Sequence, residues 1–206
     1  MLLTSAPATP APTQVTLLAV TGNLQEAAGF LSETNGQTPS NDMFGTKIVQ
    51  LRLERNYGEA IRLLQDRLAQ FHFGSDYDKA NNQLELALTQ RVAGDTASAK
   101  VTAEEARNTL EVLCRDQPDN YDLAIYLARA YAVLGEKDSA LKAARRLIML
   151  LPREKGRVPR TDSEEELALI QTMVGKNSRA ISGLAHLLQT PYHSSLYNVT
   201  PITPAL

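Results

Sequence analysis

Tryptophan is absent from this 206-residue sequence, aromatic residues make up only 5%, and Cys114 is the sole cysteine. So few flat side chains leave little for a base-stacking surface. One thiol excludes an intramolecular disulfide and a cysteine-built metal cage within one chain. It suits a reducing compartment, which favours a cytoplasmic setting; a periplasmic region of a larger membrane protein is also compatible. No apolar run approaches the ~20 residues that span a bilayer, so membrane insertion is not expected. Neither charge predominates, with 21 Lys and Arg against 23 Asp and Glu. That balance provides no global field for nucleic acid or an anionic membrane.

Catalytic signatures are missing too. No G-x-G-x-x-G, H-E-x-x-H, G-x-S-x-G or calcium-loop pattern occurs. "VGKNSRA" at 174–180 looks like the end of a phosphate-binding loop, but it lacks the upstream glycine and has Asn177 where Ser or Thr is needed. His72, His186 and His193 are scattered, and Pro191 keeps the last two off a common helix face. Cys114 sits beside Leu110 and Leu113 with no base adjacent, which predicts a packed, inert thiol. The acidic group Asp162, Glu164, Glu165 and Glu166 reads as a solvated helix start, with Thr161-x-x-Glu164 as its capping box. "NVT" at 198–200 fits a glycosylation acceptor only by chance. The expectation is a protein that is not an enzyme and needs no cofactor or metal.

What the sequence does contain is a repeat. "TGNLQEAAGFL" (21–31), "ERNYGEAIRLL" (54–64), "AGDTASAKVTA" (93–103), "LGEKDSALKAA" (134–144) and "VGKNSRAISGL" (174–184) share one design. Gly, or once Arg55, is followed five residues later by Ala27, Ala60, Ala99, Ala140 and Ala180, at spacings of 33, 39, 41 and 40 residues. Such a period belongs to stacked helical pairs. Glycine ends the first helix in a left-handed conformation. Asn56, Asp95 and Asn177 stand ready to cap the second. The small alanine lets the two helices approach, and Leu31, Leu64, Ala103, Ala144 and Leu184 follow one turn on. Twelve residues before each alanine stand Val15, Ile48, Ala87, Ala128 and Ala168. "LELAL" at 84–88 alternates like a strand, but the repeat places it in a first helix. The third unit's second helix is predicted to run about two turns longer, from Thr96 to Arg115.

The fourth unit, with Leu127-Ala128-x-x-Tyr131, Gly135, Ala140 and Pro152, resembles the tetratricopeptide repeat. It departs from that pattern at Ala124 and Ala144, where large aromatics are usual. The resemblance implies an all-α, right-handed superhelix of about five helix-turn-helix repeats over residues 14–190. An Ala/Pro-rich linker at 1–13 precedes it, and an extended tail at 191–206 follows. In this family the inward residues of the first helices meet the ligand. Carried over by position, these are Val49, Arg52, Leu88, Arg91, Ile125, Arg129, Glu165, Leu169 and Thr172. Arginines on successive first helices imply an acidic or amphipathic protein or peptide partner; the competing reading makes them exposed helix residues. On the groove reading, reversing Arg52, Arg91 and Arg129 should abolish binding and leave folding intact. The Lys and Asn set of the chaperone-tail binders is not reproduced, since Gly45, Val49, Leu84, Leu88, Ile125 and Arg129 occupy those positions. A second candidate surface is the basic loop with Arg153, Lys155, Arg157 and Arg160.

"TPITPAL" at 200–206 is similar to a segment of bacterial multidomain proteins in which repeats follow a kinase, cyclase or transcription-regulator module. That likeness implies a truncated tail and a sensory or regulatory part of a larger signalling protein. The alternative is a structural module that forms homo-oligomers by stacking its uncapped end.

Overall fold

The computed structural model describes residues 23–150, 160–187 and 189, with the side chains of residues 160–162 left aside. The linker at 1–13, Val15, the basic loop residues Arg153, Lys155 and Arg157, and the tail at 191–206 lie outside the described residues. Among those described, every regular element is an α-helix: α1 (Leu24–Phe30), α2 (Asn41–Leu53), α3 (Tyr57–Gln70), α4 (Asp76–Val92), α5 (Thr96–Asp116), α6 (Tyr121–Leu134), α7 (Lys137–Leu150), α8 (Arg160–Met173) and α9 (Asn177–Leu187). "LELAL" falls inside α4, and α5 has the predicted extra length at 21 residues.

The turn inside each pair is built the same way four times. Arg55, Gly94, Gly135 and Gly175 take positive φ, at 58°, 92°, 83° and 79°. The N–H of the next residue then reaches back five positions: Asn56 to the Leu51 carbonyl (2.8 Å), Asp95 to Gln90 (2.9 Å), Glu136 to Tyr131 (2.9 Å) and Lys176 to Gln171 (2.7 Å). These bonds satisfy carbonyls that a helix end leaves open. Side-chain caps start most of the helices. Ser40, Asn56, Ser75, Asp95 and Asn120 accept the N–H groups of Met43, Glu59, Asp78, Ser98 and Leu123. Two expected caps sit differently. Asn177 is the first residue of α9, one place too late to cap it, and the Lys176 carbonyl accepts the Ala180 N–H instead. Thr161 likewise lies within α8, which opens at Arg160.

The alanine column is fully packed, with Ala27, Ala60, Ala99, Ala140 and Ala180 at 0–1% exposure. Ile48, Ala87, Ala128 and Ala168 face them from the first helices, also buried. The cores differ in character along the array. Between α2 and α3, Phe44, Ile48, Leu51, Leu63 and Leu64 are buried, each worth about 1.5–3 kcal/mol. Between α6 and α8 the core is mainly Ala128, Ala132, Ala140, Ala144 and Ile170, so close helix approach replaces side-chain bulk.

Among the first helices α4 packs directly on α6 and α6 on α8, whereas successive second helices barely meet. Tight packing on one side and splay on the other curve the stack, with the first helices on the inner face.

Candidate partner-binding surface

The three arginines on the inner face are neither free for a ligand nor exposed to solvent. Arg52, near the end of α2, is 5% exposed and reaches into the next repeat. Its Nη2 donates to the Glu85 carboxylate at 2.5 Å and to the Glu85 carbonyl at 2.8 Å, and its Nε donates to Thr89 Oγ1 at 2.9 Å. Arg129 on α6 forms a two-pronged pair with Glu166 on α8, Nε to Oε1 at 2.7 Å and Nη2 to Oε2 at 2.6 Å. Burial pushes the Arg129 pKa down, but the charge and hydrogen bond of Glu166 outweigh it, and the net shift is upward.

Arg91 has no such partner because Tyr126 occupies, forty-one residues on from Glu85, the equivalent place on α6. Its guanidinium extends further, donating to the Ala132 carbonyl on α6 at 2.9 Å and the Met173 carbonyl on α8 at 2.7 Å. Both acceptors lie in the last turns of their helices, where carbonyls lack helical partners and the dipole favours a cation. Burial lowers the Arg91 pKa. Tyr126 instead meets Tyr77 of α4 edge-on, with ring centroids 5.5 Å apart. Both phenols are pushed up in pKa, chiefly by burial.

These contacts correct two expectations. Reversing Arg52, Arg91 and Arg129 to glutamate would set carboxylates against Glu85, Glu166 and two helix C-termini, so folding would not stay intact. The acidic run at the start of α8 is not simply solvated: Glu166 is 1% exposed and Glu165 is 9% exposed. Of the remaining groove candidates, Val49 and Leu88 are buried, while Ile125, Leu169 and Thr172, on the first helices α6 and α8, are half-buried. Arg160 opens α8, and its side chain is outside the described residues.

The sequence reading missed Arg67 altogether. Among the described residues it is the largest fully buried side chain, at 0% exposure. Its guanidinium stacks 3.8 Å from the Phe71 ring and 4.4 Å from Phe44, and donates to the Gly36 and Thr38 carbonyls and to Asn41 Oδ1. Cation–π contact and three acceptors hold the 31–40 connection against α3. Burial lowers its pKa. Nothing in the local sequence distinguishes Arg67 from an exposed helix arginine, since its rings and acceptors come from three separate segments.

Among the described residues no cluster of metal-binding side chains occurs, and no helix is long and apolar enough to cross a membrane. Cys114 is half-buried, with its thiol pKa raised by burial.

No family model matches the chain, and no curated protein matches it. Among solved structures, it is similar to the nearly identical tetratricopeptide-like repeats of a putative kinesin light chain from Podosopora anserina. That structure is 18% identical, covers 86% of this chain and 92% of its own, and gives a TM-score of 0.49. A single-site variant of the same protein is also 18% identical, covers 86% and 91%, and gives 0.50. MamA of AMB-1, at 16% identity and coverage of 86% and 95%, gives 0.42. At these identities the likeness is one of fold. The chain folds as an all-α array of tetratricopeptide-like helical repeats.

Proposed function

We propose that this chain is a noncatalytic scaffold that binds a peptide or protein partner on its inner face, as the sensory or regulatory part of a larger bacterial signalling protein. The observation that carries this reading is the preformed inner surface. Its helices α4, α6 and α8 pack in succession, and Arg52, Arg91 and Arg129 tie α2, α4, α6 and α8 together, so little ordering cost remains for binding. With those guanidiniums engaged within the array, recognition through them of an acidic partner is not supported. Ile125, Leu169 and Thr172 supply apolar and hydroxyl contact instead.

The test is site-specific photo-crosslinking in the native cells. A photoreactive phenylalanine analogue at Ile125 or Leu169 is expected to trap a discrete protein. The same analogue at Val101, 64% exposed on the second helix α5, is expected to trap none. Crosslinks from Val101 alone would overturn the inner-face assignment. A second reading, self-association through the last repeat, is favoured by Ile181, which is 64% exposed on α9. Light scattering that shows mass rising with concentration would support that reading instead.

A further inference from the structure

The outer face carries a second feature, set by the same curvature. Because α5 and α7 splay apart, a cleft of about 420 Å³ opens between them over α6. Its floor is Ala124 and Leu127, and its walls include Cys114 and Met149. The cleft exists because the fourth unit is short of bulk at its floor. Phe44 fills the position equivalent to Ala124 in the second unit and is 2% exposed there. Met149, on the wall, is 76% exposed, which leaves a large apolar side chain uncovered.

Two cations stand on the rim, Lys142 and Arg146, both exposed. Among the described residues neither forms an ion pair with a carboxylate, and Arg146 donates to the Pro118 carbonyl. Glu111 of α5 is engaged elsewhere, accepting the Tyr131 hydroxyl at 2.8 Å and facing Arg107, and Asp138, one turn before Lys142 on α7, makes no ion pair with it. A hollow of ligand-binding size with an apolar floor, open between two helices and with two exposed cations on its rim, is complementary to an anionic, amphipathic segment.

We infer that this outer cleft docks an acidic peptide segment of a partner protein, with one large apolar side chain in the hollow and carboxylates against Lys142 and Arg146. The assignment does not rest on the inner-face reading, and the two sites lie on opposite faces. Cys114 provides the readout, as the only thiol in the chain and part of the cleft wall. The rate at which N-ethylmaleimide modifies Cys114 in the whole chain is measured with an amidated peptide carrying one phenylalanine between two pairs of aspartates.

The peptide is expected to slow the reaction several-fold at saturation. The same peptide with glycine for phenylalanine, or lysine for aspartate, is expected to leave the rate unchanged. Combining Lys142→Glu with Arg146→Glu should weaken protection roughly tenfold with little change in thermal unfolding, because both side chains are exposed and only the Arg146 bond to the Pro118 carbonyl is lost. Ala124→Trp, filling the hollow from inside, should abolish protection; a melt of each variant verifies folding. Absence of protection, or its persistence after charge reversal, would overturn the inference. Equal protection by sodium dodecanoate would do so as well, since it would identify a small amphiphile and not a peptide as the occupant. None of these outcomes alters the crosslinking expected from Ile125 and Leu169.

Discussion

Among the described repeat turns, Arg55 alone places a side chain in the left-handed region, at φ 58°. A β-carbon makes that conformation costly by roughly 1–2 kcal/mol, a cost glycine avoids. Arg55→Gly is therefore expected to stabilise the protein by about 1 kcal/mol, read as a higher urea midpoint at constant slope. Gly135→Ala should do the reverse by a similar amount. An added β-carbon there meets nothing within 4 Å, so the loss would be conformational and not steric. At this scale the sequence was partly legible. Alanines at a fixed offset from glycine reveal a buried seam because few other residues fit between close helices. Arg67 revealed nothing, because its environment is assembled from Phe44, Phe71, Gly36, Thr38 and Asn41, none of which repeats with the period.

Between elements, the pair Arg129–Glu166 ties α6 to α8, with Glu166 at 0% and Arg129 at 13% side-chain exposure. Removing one partner strands a buried charge, whereas replacing both with apolar groups of similar shape does not. Arg129→Met alone is expected to cost roughly 3–5 kcal/mol, and adding Glu166→Leu should recover most of the loss. A double-mutant cycle in urea checks this; additive losses would show that the pair does not act as a unit. Helix positions and lengths could be read from the repeat, but these cross-repeat pairs could not. Arg52 meets Glu85 33 residues on, and Arg129 meets Glu166 37 residues on. Such partners become visible only once the packing of one first helix on the next is known. The same gap made exposed groove arginines out of buried clamps.

For the whole molecule, the tyrosines set an alkaline limit. Tyr131 is pushed up to about 12 by burial and by its bond to the Glu111 carboxylate. Tyr77 and Tyr126 are raised as well, chiefly by burial. A phenol with a raised folded-state pKa gives its full stabilisation below about pH 10, its value in the unfolded chain. As pH rises from about 10 toward the folded values, the unfolded chain releases protons that the folded one retains, and stability falls. The urea midpoint should therefore be flat up to about pH 9 and drop by about pH 11. Tyr131→Phe is expected to reduce that drop, and phenolate absorbance should lag behind that of the denatured chain.

Arg91 sets a different rule for how the array comes apart. Repeat proteins are usually treated as a row in which each unit interacts only with its neighbours. The Arg91 guanidinium bonds to Met173, 82 residues away, so the third unit holds the fifth past the fourth. Fraying at α8 would withdraw a carbonyl from a buried charge on α4, and the loss would be felt two units inward. Through this bond α8 is coupled directly to α4, a link between the described helices that a nearest-neighbour row does not contain.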